Sequence, residues 1–276
     1  MSLNKPIWKL RDWIDINKLN WSQLSSNPLA IDLLLANPDK IEWEEFSENP
    51  AAIEYLKTHP ENIRWFNLIF NPNACDILKN YPCNIDWYHL SANLNAIEII
   101  ENNLNKINWY QMSSNPAAIK LLKANPDNIK YSWLSLNSHD EAVEILIKNP
   151  DKISWLSLSR NTNPKAINLL EKNKDKIDWY HLSSNPSAIK LIEANEDKLY
   201  WNPLSLNPSA INILERNQDK IHWGNLSSNP SIFELDYEAM RRNNERLYEE
   251  LIKEVMRPSR VFKNPHYDYL EELFGE

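Results

Sequence analysis

Residues 179–200 read WYHLSSNPSAIKLIEANEDKLY, and variants of this 22-residue stretch recur along most of the chain. Numbered from the Trp, the consensus is W-x-x-L-S-x-N-P-x-A-I-x-L-L-x-x-N-x-D-K-I-x, and it fits ten units. The units begin at Trp21, Trp43, Trp65, Trp87, Trp109, Tyr131, Trp155, Trp179, Trp201 and Trp223. Position 7 is Asn in all ten units and position 10 is Ala in nine of them. Such a period predicts an array of stacked structural repeats.

Each repeat contains the signals of two short helices. Asn-Pro at positions 7 and 8 is typical of a helix start, because Asn caps the helix and Pro suits its first turn. Apolar residues at positions 10, 11, 13 and 14 have helical spacing, so a second helix is predicted from about position 8 to 17. The segment D-K-I-x-W-x-x-L-S predicts a turn and then a first helix from about position 22 to 6. Two repeats carry two extra residues, at Ser138-His139-Asp140 and Thr162-Asn163-Pro164, which we place in a turn.

The fold class that follows is all-α, a slightly curved α-solenoid of about ten two-helix repeats with N- and C-terminal caps. We predict an N-terminal cap over residues 1–20, the repeats over 21–236 and capping helices over 237–276. Apolar residues at helical spacing predict one longer helix over 237–256, ended by Pro258, and a last amphipathic segment over 266–274.

Composition excludes several classes of function. The chain of 276 residues contains only two glycines, so the Gly-rich phosphate loops of P-loop and dinucleotide-binding proteins are excluded. A net charge of −8 disfavours nucleic-acid binding, which normally requires a basic surplus. Cys75 and Cys83 do not make a disulfide framework and favour a reducing compartment. No apolar run is long enough for a transmembrane helix and no signal peptide is indicated, so we expect an intracellular protein.

No catalytic or metal-binding constellation emerges from the sequence. The six His are dispersed, and His89 and His181, both in Trp-Tyr-His-Leu, lie four repeats apart, too far to share a metal. Motifs such as C-x-x-C, H-E-x-x-H and G-x-S-x-G are absent from the sequence. We therefore predict a protein that is not an enzyme, with no cofactor, no metal and no small-molecule substrate.

The repeated Trp and Asn each allow two interpretations. Twelve Trp could stack nucleobases, one per repeat, or pack in the core, and their fixed phase with Leu, Ala and Ile favours packing. The Asn at position 7 could form a recognition ladder or cap a helix. Capping is favoured, and it predicts a loss of about 1 kcal/mol for each Asn→Ala substitution.

The positions that vary between repeats predict a binding surface. Positions 2, 3, 6 and 22 change from repeat to repeat around the first helix and are rich in aromatic residues, as on adaptable protein-binding surfaces. The alternative is that these side chains only pack between neighbouring repeats. The predicted partner-binding residues are Phe66, Tyr88, His89, Tyr110, Gln111, Trp133, Tyr180 and His181.

The repeat resembles that of a large protein group in giant DNA viruses of amoebae, the mimivirus-like viruses. The resemblance covers nearly the whole chain, including the opening Lys9-Leu10-Arg11-Asp12-Trp13-Ile14, the closing Ile232-Phe233-Glu234-Leu235-Asp236-Tyr237 and the later Arg257-Pro258-Ser259-Arg260-Val261. Departures include Tyr131 for Trp, and Leu94 and Ser138 for Pro. The resemblance implies a viral source and carries no biochemical activity with it.

Together these features predict a non-enzymatic protein–protein interaction scaffold or adaptor that presents its repeat surface to a viral or host protein. Its location would be the host cytoplasm, the virus factory or the virion. A structural component of the virion or of a larger viral assembly is the alternative. Single-stranded nucleic-acid binding by aromatic stacking is a third reading, which the acidic balance disfavours.

Overall fold

The structure is a computed structural model that describes residues 6–81 and 85–255. It confirms the all-α repeat architecture. Each repeat begins with a short helix, here called its A helix: Trp21–Ser25, Trp43–Glu48, Trp65–Leu68, Trp87–Leu90, Trp109–Ser114, Tyr131–Leu134, Trp155–Ser159, Trp179–Ser183, Trp201–Leu204 and Trp223–Ser228. The first nine repeats continue into a second helix, the B helix: Ile31–Leu35, Ile53–Thr58, Cys75–Asn80, Ile97–Glu101, Ile119–Ala124, Asp140–Ile147, Pro164–Lys172, Ile189–Glu193 and Ile211–Arg216.

The helix boundaries follow from local capping. Each A helix starts at position 1, and a polar residue at position 22 before it often supplies the cap, as Asn108 does by accepting from the backbone N–H groups of Tyr110 and Gln111. Most B helices are shorter than predicted, because a turn occupies positions 8–10; in repeats 2, 5, 8 and 9 it is a 3₁₀ turn such as Pro116–Ala118. A further 3₁₀ turn, such as Pro126–Asn128, leads into the next repeat.

Repeats 6 and 7 have longer B helices than the others. The two-residue insertions were predicted to lie in a turn, and Ser138, His139, Thr162 and Asn163 do lie outside the helices, whereas Asp140 and Pro164 are the first helical residues. They move the helix start, so that His139 and Asn163 become the caps of helices Asp140–Ile147 and Pro164–Lys172. The turn that precedes the B helix in the other repeats is replaced here by α-helix.

The core of the repeat array consists of three layers of apolar residues. Position 4 contributes Leu24, Phe46, Leu68, Leu90, Met112, Leu134, Leu158, Leu182, Leu204 and Leu226, all fully buried. Position 14 contributes Leu34, Leu56, Leu78, Ile100, Leu122, Leu146, Leu170, Ile192 and Leu214, also fully buried. Ala at position 10 lies between these layers, where its small side chain lets the two helices of a repeat approach closely.

The array is not open-ended, because repeat 10 packs against repeat 1. The A helices Trp21–Ser25 and Trp223–Ser228 are in contact. The backbone N–H of Asn20 donates to Ser227 Oγ at 2.8 Å, and Asn27 Nδ2 donates to the backbone carbonyl of Ser227 at 3.0 Å. Consecutive repeats make the same contacts, so residues 12–232 form a closed ring of ten repeats.

The two chain ends also meet in a second compact unit, whose described residues are 6–11 and 233–255. Strand β1 (Trp8–Leu10) pairs antiparallel with β2 (Phe233–Leu235), and Glu234 forms ion pairs with Lys9 and Arg11 at 3.2 and 3.4 Å. The helix predicted over 237–256 is present as Tyr237–Val255. Pro258 and the predicted segment 266–274 lie outside the described residues. Across the described ranges, no helix has the length and apolar character needed to cross a membrane.

Candidate protein-binding surface

The Asn at position 7 fixes each repeat to the one before it. In repeat 2, Asn49 Oδ1 accepts from the backbone N–H of Ala51 at 2.9 Å, which confirms the predicted cap. Its Nδ2 also donates to the carbonyls of Ser25 at 3.0 Å and Asn27 at 2.9 Å in the preceding repeat. Equivalent sets of three hydrogen bonds involve Asn27, Asn71, Asn93, Asn115, Asn137, Asn161, Asn185, Asn207 and Asn229. All these side chains are buried, so the bonds form a rigid frame.

Serine at position 5 adds a second link. Ser47 Oγ donates to the carbonyl of Trp43 at 2.7 Å and accepts from the backbone N–H of Arg64 at 3.0 Å, just before the next A helix. Nine repeats have this Ser, and repeat 3 has Ile69 in its place. The Ser hydroxyl at position 5 therefore links each A helix to the residue that precedes the next A helix.

The aromatic residues at position 1 are half-buried, and most carry a lysine over one face. Seven such pairs have the Lys Nζ 4.4–5.0 Å from the centre of the aromatic ring: Lys40–Trp21, Lys106–Trp87, Lys152–Tyr131, Lys176–Trp155, Lys198–Trp179, Lys220–Trp201 and Lys18–Trp223. Each pair is a cation–π contact within or across repeats. A ring face covered in this way is not free to stack on a base.

Positions 2, 3 and 6 interlock between neighbouring A helices. The imidazole of His89 at position 3 of repeat 4 packs against Phe66 and Phe70, at positions 2 and 6 of repeat 3, with ring centres 5.0 and 5.2 Å apart. Trp133 packs in the same way on Tyr110 of the preceding repeat, at 6.4 Å. Packing between repeats therefore accounts for part of the aromatic character of these positions.

Most aromatic side chains at position 2 are exposed to solvent, whereas the side chains at position 3 are only partly exposed. Phe66, Tyr88, Tyr110 and Tyr180 are between 44% and 56% exposed, whereas His89, Gln111, Trp133 and His181 are only partly exposed. The same surface holds four exposed residues that the sequence did not single out: Phe70, Leu156, Tyr200 and Leu206. They occupy positions 2, 6 and 22, so the position rule could have found them. We call the exposed aromatic and aliphatic residues at positions 2, 6 and 22 of repeats 3–9 the A-helix arc: Phe66, Phe70, Tyr88, Tyr110, Leu156, Tyr180, Tyr200 and Leu206.

Two identical Asp-Trp-Tyr-His segments orient histidines on this arc. Asp86 caps its helix and accepts from His89 Nδ1 at 2.9 Å, and Asp178 and His181 repeat the arrangement at 2.9 Å. Partial burial disfavours the charged form of Asp178, but hydrogen bonds from the backbone N–H and imidazole of His181 outweigh this and lower its pKa. The carboxylates thus hold each imidazole in one orientation beside an exposed Tyr.

Repeat 2 has carboxylates at the positions that carry aromatic residues in the repeats that follow it. Glu44, Glu45 and Glu48 occupy positions 2, 3 and 6 there. Glu44 pairs with Arg64 at 3.2 Å. Burial raises the pKa of Glu48, the hydrogen bond from Asn67 Nδ2 at 2.7 Å opposes the rise, and the charge of Glu45 adds to it. The A-helix face therefore changes from acidic in repeat 2 to aromatic in repeats 3–6.

The remaining reactive groups do not assemble into a site. Burial raises the pKa of the Cys75 thiol, which disfavours the reactive thiolate, and Cys83 lies outside the described residues. Within residues 6–81 and 85–255, no group of three or more His, Cys, Asp or Glu is placed to bind a metal ion. B-helix charges pair between repeats, as Lys79 does with Glu98 at 2.6 Å.

Comparison with known proteins finds no match to this chain among family models, curated proteins or solved structures. The interpretation of the A-helix arc therefore depends on its own chemistry.

Proposed function

We propose that the protein is a non-enzymatic interaction scaffold that binds a protein partner along the A-helix arc. One observation carries this: Phe66, Tyr88, Tyr110 and Tyr180 are about half exposed on a frame in which every repeat is fixed by the same hydrogen bonds. Aromatic anchors on a rigid support contribute most of the affinity in protein interfaces, because little side-chain entropy is lost on binding.

The charges near the arc favour a protein over a nucleic acid. Glu44, Glu45 and Glu48 border the arc at repeat 2, and they would repel phosphates. Many lysines closest to position 1 lie over indole rings, as Lys176 does at 4.7 Å from Trp155. A partner that presents apolar side chains, with a cation toward repeat 2, would be complementary to this surface.

The sequence resemblance to repeat proteins of giant amoebal viruses supports a partner that is a viral or host protein. In this proposal the protein acts as an adaptor in the infected cell, in the host cytoplasm or the virus factory. The alternative remains a structural component of the virion.

The test is affinity purification of the tagged protein from infected amoebae, followed by mass spectrometry. A stoichiometric partner is expected, and the double variant Tyr110→Ala/Tyr180→Ala should weaken its binding by about 10-fold or more. Tyr248→Ala removes an even more exposed tyrosine from the C-terminal helix and serves as the matched control. Unchanged binding by the double variant would refute the A-helix arc as the site, and recovery with capsid or core proteins alone would favour the structural role.

A further inference from the structure

Neighbouring A helices lie closer together than neighbouring B helices. The A helices contact one another directly, as Trp43–Glu48 does with Trp65–Leu68. Neighbouring B helices are bridged by long side chains, such as Lys79 and Glu98 at 2.6 Å. Open clefts of about 280 and 240 Å³ lie between the B helices of repeats 3 and 4 and between those of repeats 2 and 3. Because the more closely spaced layer of a closed ring has the smaller radius, the A helices form the inner layer and the B helices the outer one.

Positions 2 and 6 are on the side of the A helix that faces the centre of this ring. At about 100° per residue, they point roughly 180° away from position 4, which is fully buried toward the B layer. Positions 3 and 5 lie on the two flanks, where His89 contacts the preceding repeat and Ser47 the cap of the following A helix. The A-helix arc therefore lines the inner wall of the ring, and Tyr88, Tyr110 and Tyr180 are 44–50% exposed there.

The inner wall encloses a channel that is wide enough for one helix. Packed helices lie about 8–10 Å apart, so a circle of ten A helices has a diameter of about 25–32 Å between opposite helix axes. The inward half of each helix takes up about 5–6 Å on either side, which leaves about 15–20 Å. An α-helix with its side chains is about 10–12 Å wide and fits, whereas a small folded domain of about 30 Å does not.

The wall of this channel has sectors of different chemistry. Repeats 3–9 contribute the aromatic and aliphatic residues of the A-helix arc. Positions 2 and 6 of the ten repeats carry three charged residues: Glu44 and Glu48 in repeat 2, and Arg160 in repeat 7. Repeats 2 and 7 are five steps apart in either direction, so the carboxylates and the guanidinium lie on opposite sides of the ring.

On the basis of the function proposed above, we propose that the partner enters this channel as a single α-helix. The helix is apolar on its flanks, with a basic edge toward Glu44 and an acidic edge toward Arg160. It presents side chains on all sides, so its flanks can meet Tyr88 and Tyr180, four repeats apart, at the same time. An extended strand has side chains on only two faces. The opposite charges of the two edges set the rotation of the helix in the channel.

Isothermal titration calorimetry with synthetic peptides tests the chemistry of this partner. The probe is a helix of Leu and Ala, about 20 residues and about 30 Å long, with Lys along one edge and Glu along the opposite edge. In the control peptide every Lys is replaced by Glu. The probe should bind about 10-fold or more tightly than the control, because its lysines meet the carboxylates of repeat 2.

Two matched variants locate the basic edge of the probe. Glu44→Gln should remove most of the preference for the probe over the control peptide. Glu54→Gln should leave it unchanged, because Glu54 is also in an ion pair, with Lys57 at 2.8 Å, but lies on the outer B helix of the same repeat. Failure of the probe to bind, or an equal effect of the two variants, would overturn the proposed partner.

A topological experiment separates entry into the channel from binding at the arc. One small folded domain fused to the probe leaves its other end free to pass through the ring, whereas domains on both ends are too wide to pass. The doubly fused probe should therefore bind about 10-fold or more weakly than the singly fused probe. Equal binding of the two fusions would overturn entry into the channel. If Tyr110→Ala/Tyr180→Ala still weakened that binding, the A-helix arc would remain the site; if it did not, the proposed function would fail as well.

Discussion

The side-chain amide of Asn27 donates to the backbone carbonyl of Asn229 at 3.0 Å, across 202 residues of sequence. Asn49 makes the same bond to Asn27 at 2.9 Å, across 22 residues. The longer repeats keep it as well, since Asn161 reaches Asn137 at 2.9 Å across 24 residues. Repeat 1 thus meets repeat 10 as any repeat meets its predecessor, and the insertions are absorbed in the B helices.

Substitution of an internal Asn at position 7 should lower the free energy of unfolding far more than the loss of a helix cap alone. Asn71→Ala leaves the buried carbonyl of Ser47 without its donor and removes one of two donors from the carbonyl of Asn49, which keeps the N–H of Ala52. It also removes the acceptor of the Asn73 N–H. At about 1–3 kcal/mol for the buried unsatisfied carbonyl and about 1 kcal/mol for each of the other two bonds, the free energy of unfolding should fall by about 2–5 kcal/mol. Denaturant unfolding followed by circular dichroism measures it.

Asn73→Ala is the matched control for this substitution. Asn73 is exposed and donates to the carbonyl of Pro50 at 2.9 Å, so its removal should cost less than about 1 kcal/mol because water can replace the bond. If Asn71→Ala lowered the free energy of unfolding no more than Asn73→Ala, the Asn at position 7 would act only as a helix cap.

Sequence reasoning identified the helix cap at position 7 because that bond is local, between residues two apart. The donor bonds of Asn49 were missed because their acceptors lie 22 and 24 residues earlier, and only the three-dimensional stack brings them close. Ring closure was missed for the same reason, because the rotation between neighbouring repeats leaves no pattern in the sequence of a single repeat. One signal was present: Asp15-Ile16-Asn17-Lys18-Leu19-Asn20 resembles the end of a repeat placed before the first Trp.

The sequence placed the candidate surface on the A helices only as a set of positions. Neighbouring residues on an α-helix point about 100° apart, so Tyr88 at position 2 faces solvent while His89 at position 3 packs on Phe66 and Phe70. Both positions vary in the sequence, and variability alone does not distinguish contact between repeats from exposure to a partner.

Completing the lysine series should stabilise the ring of repeats. Repeat 5 has Asn128 at position 20, whereas six other repeats have a lysine there that lies over their own position-1 ring. Asn128→Lys should place an ammonium over Trp109 and raise the free energy of unfolding by about 0.5–1 kcal/mol. Lys198→Ala, which uncovers Trp179, should lower it by a similar amount, and thermal unfolding of both variants measures the difference. Equal stability of all three proteins would show that these contacts contribute nothing.

The Asp178–His181 pair should stabilise the fold above about pH 4 and lose that effect in acid. Because the pKa of Asp178 is lowered from 3.8, the unfolded chain takes up the proton more readily, and the stabilisation by the ionised carboxylate disappears as the pH falls through the lowered pKa. Asp178→Asn keeps the oxygen that caps the helix, as Asn108 does naturally, but lacks the charge.

The variant should therefore be less stable than the native protein at about pH 5, with a difference that shrinks toward about pH 2. Denaturant midpoints at a series of pH values measure this. Asp39→Asn removes an exposed carboxylate and corrects for the general change in charge. A difference that does not change with pH would contradict the proposed role of the ionised form.

The effect of Glu48→Gln on stability should have the opposite sign, a gain at neutral pH that is lost in acid. Burial raises the pKa of Glu48 above 4.5, with the Asn67 hydrogen bond opposing and Glu45 adding to the rise, so the ionised side chain destabilises the folded state at neutral pH. Gln keeps an oxygen to accept from Asn67 Nδ2, and the variant should be more stable than the native protein at about pH 7. The advantage should vanish as the pH falls below about 4.5, where Glu48 is protonated in both states. Glu44→Gln is the control, because it breaks the ion pair with Arg64 and should bring no gain; a stabilisation by both variants would point to net charge instead of the burial of Glu48.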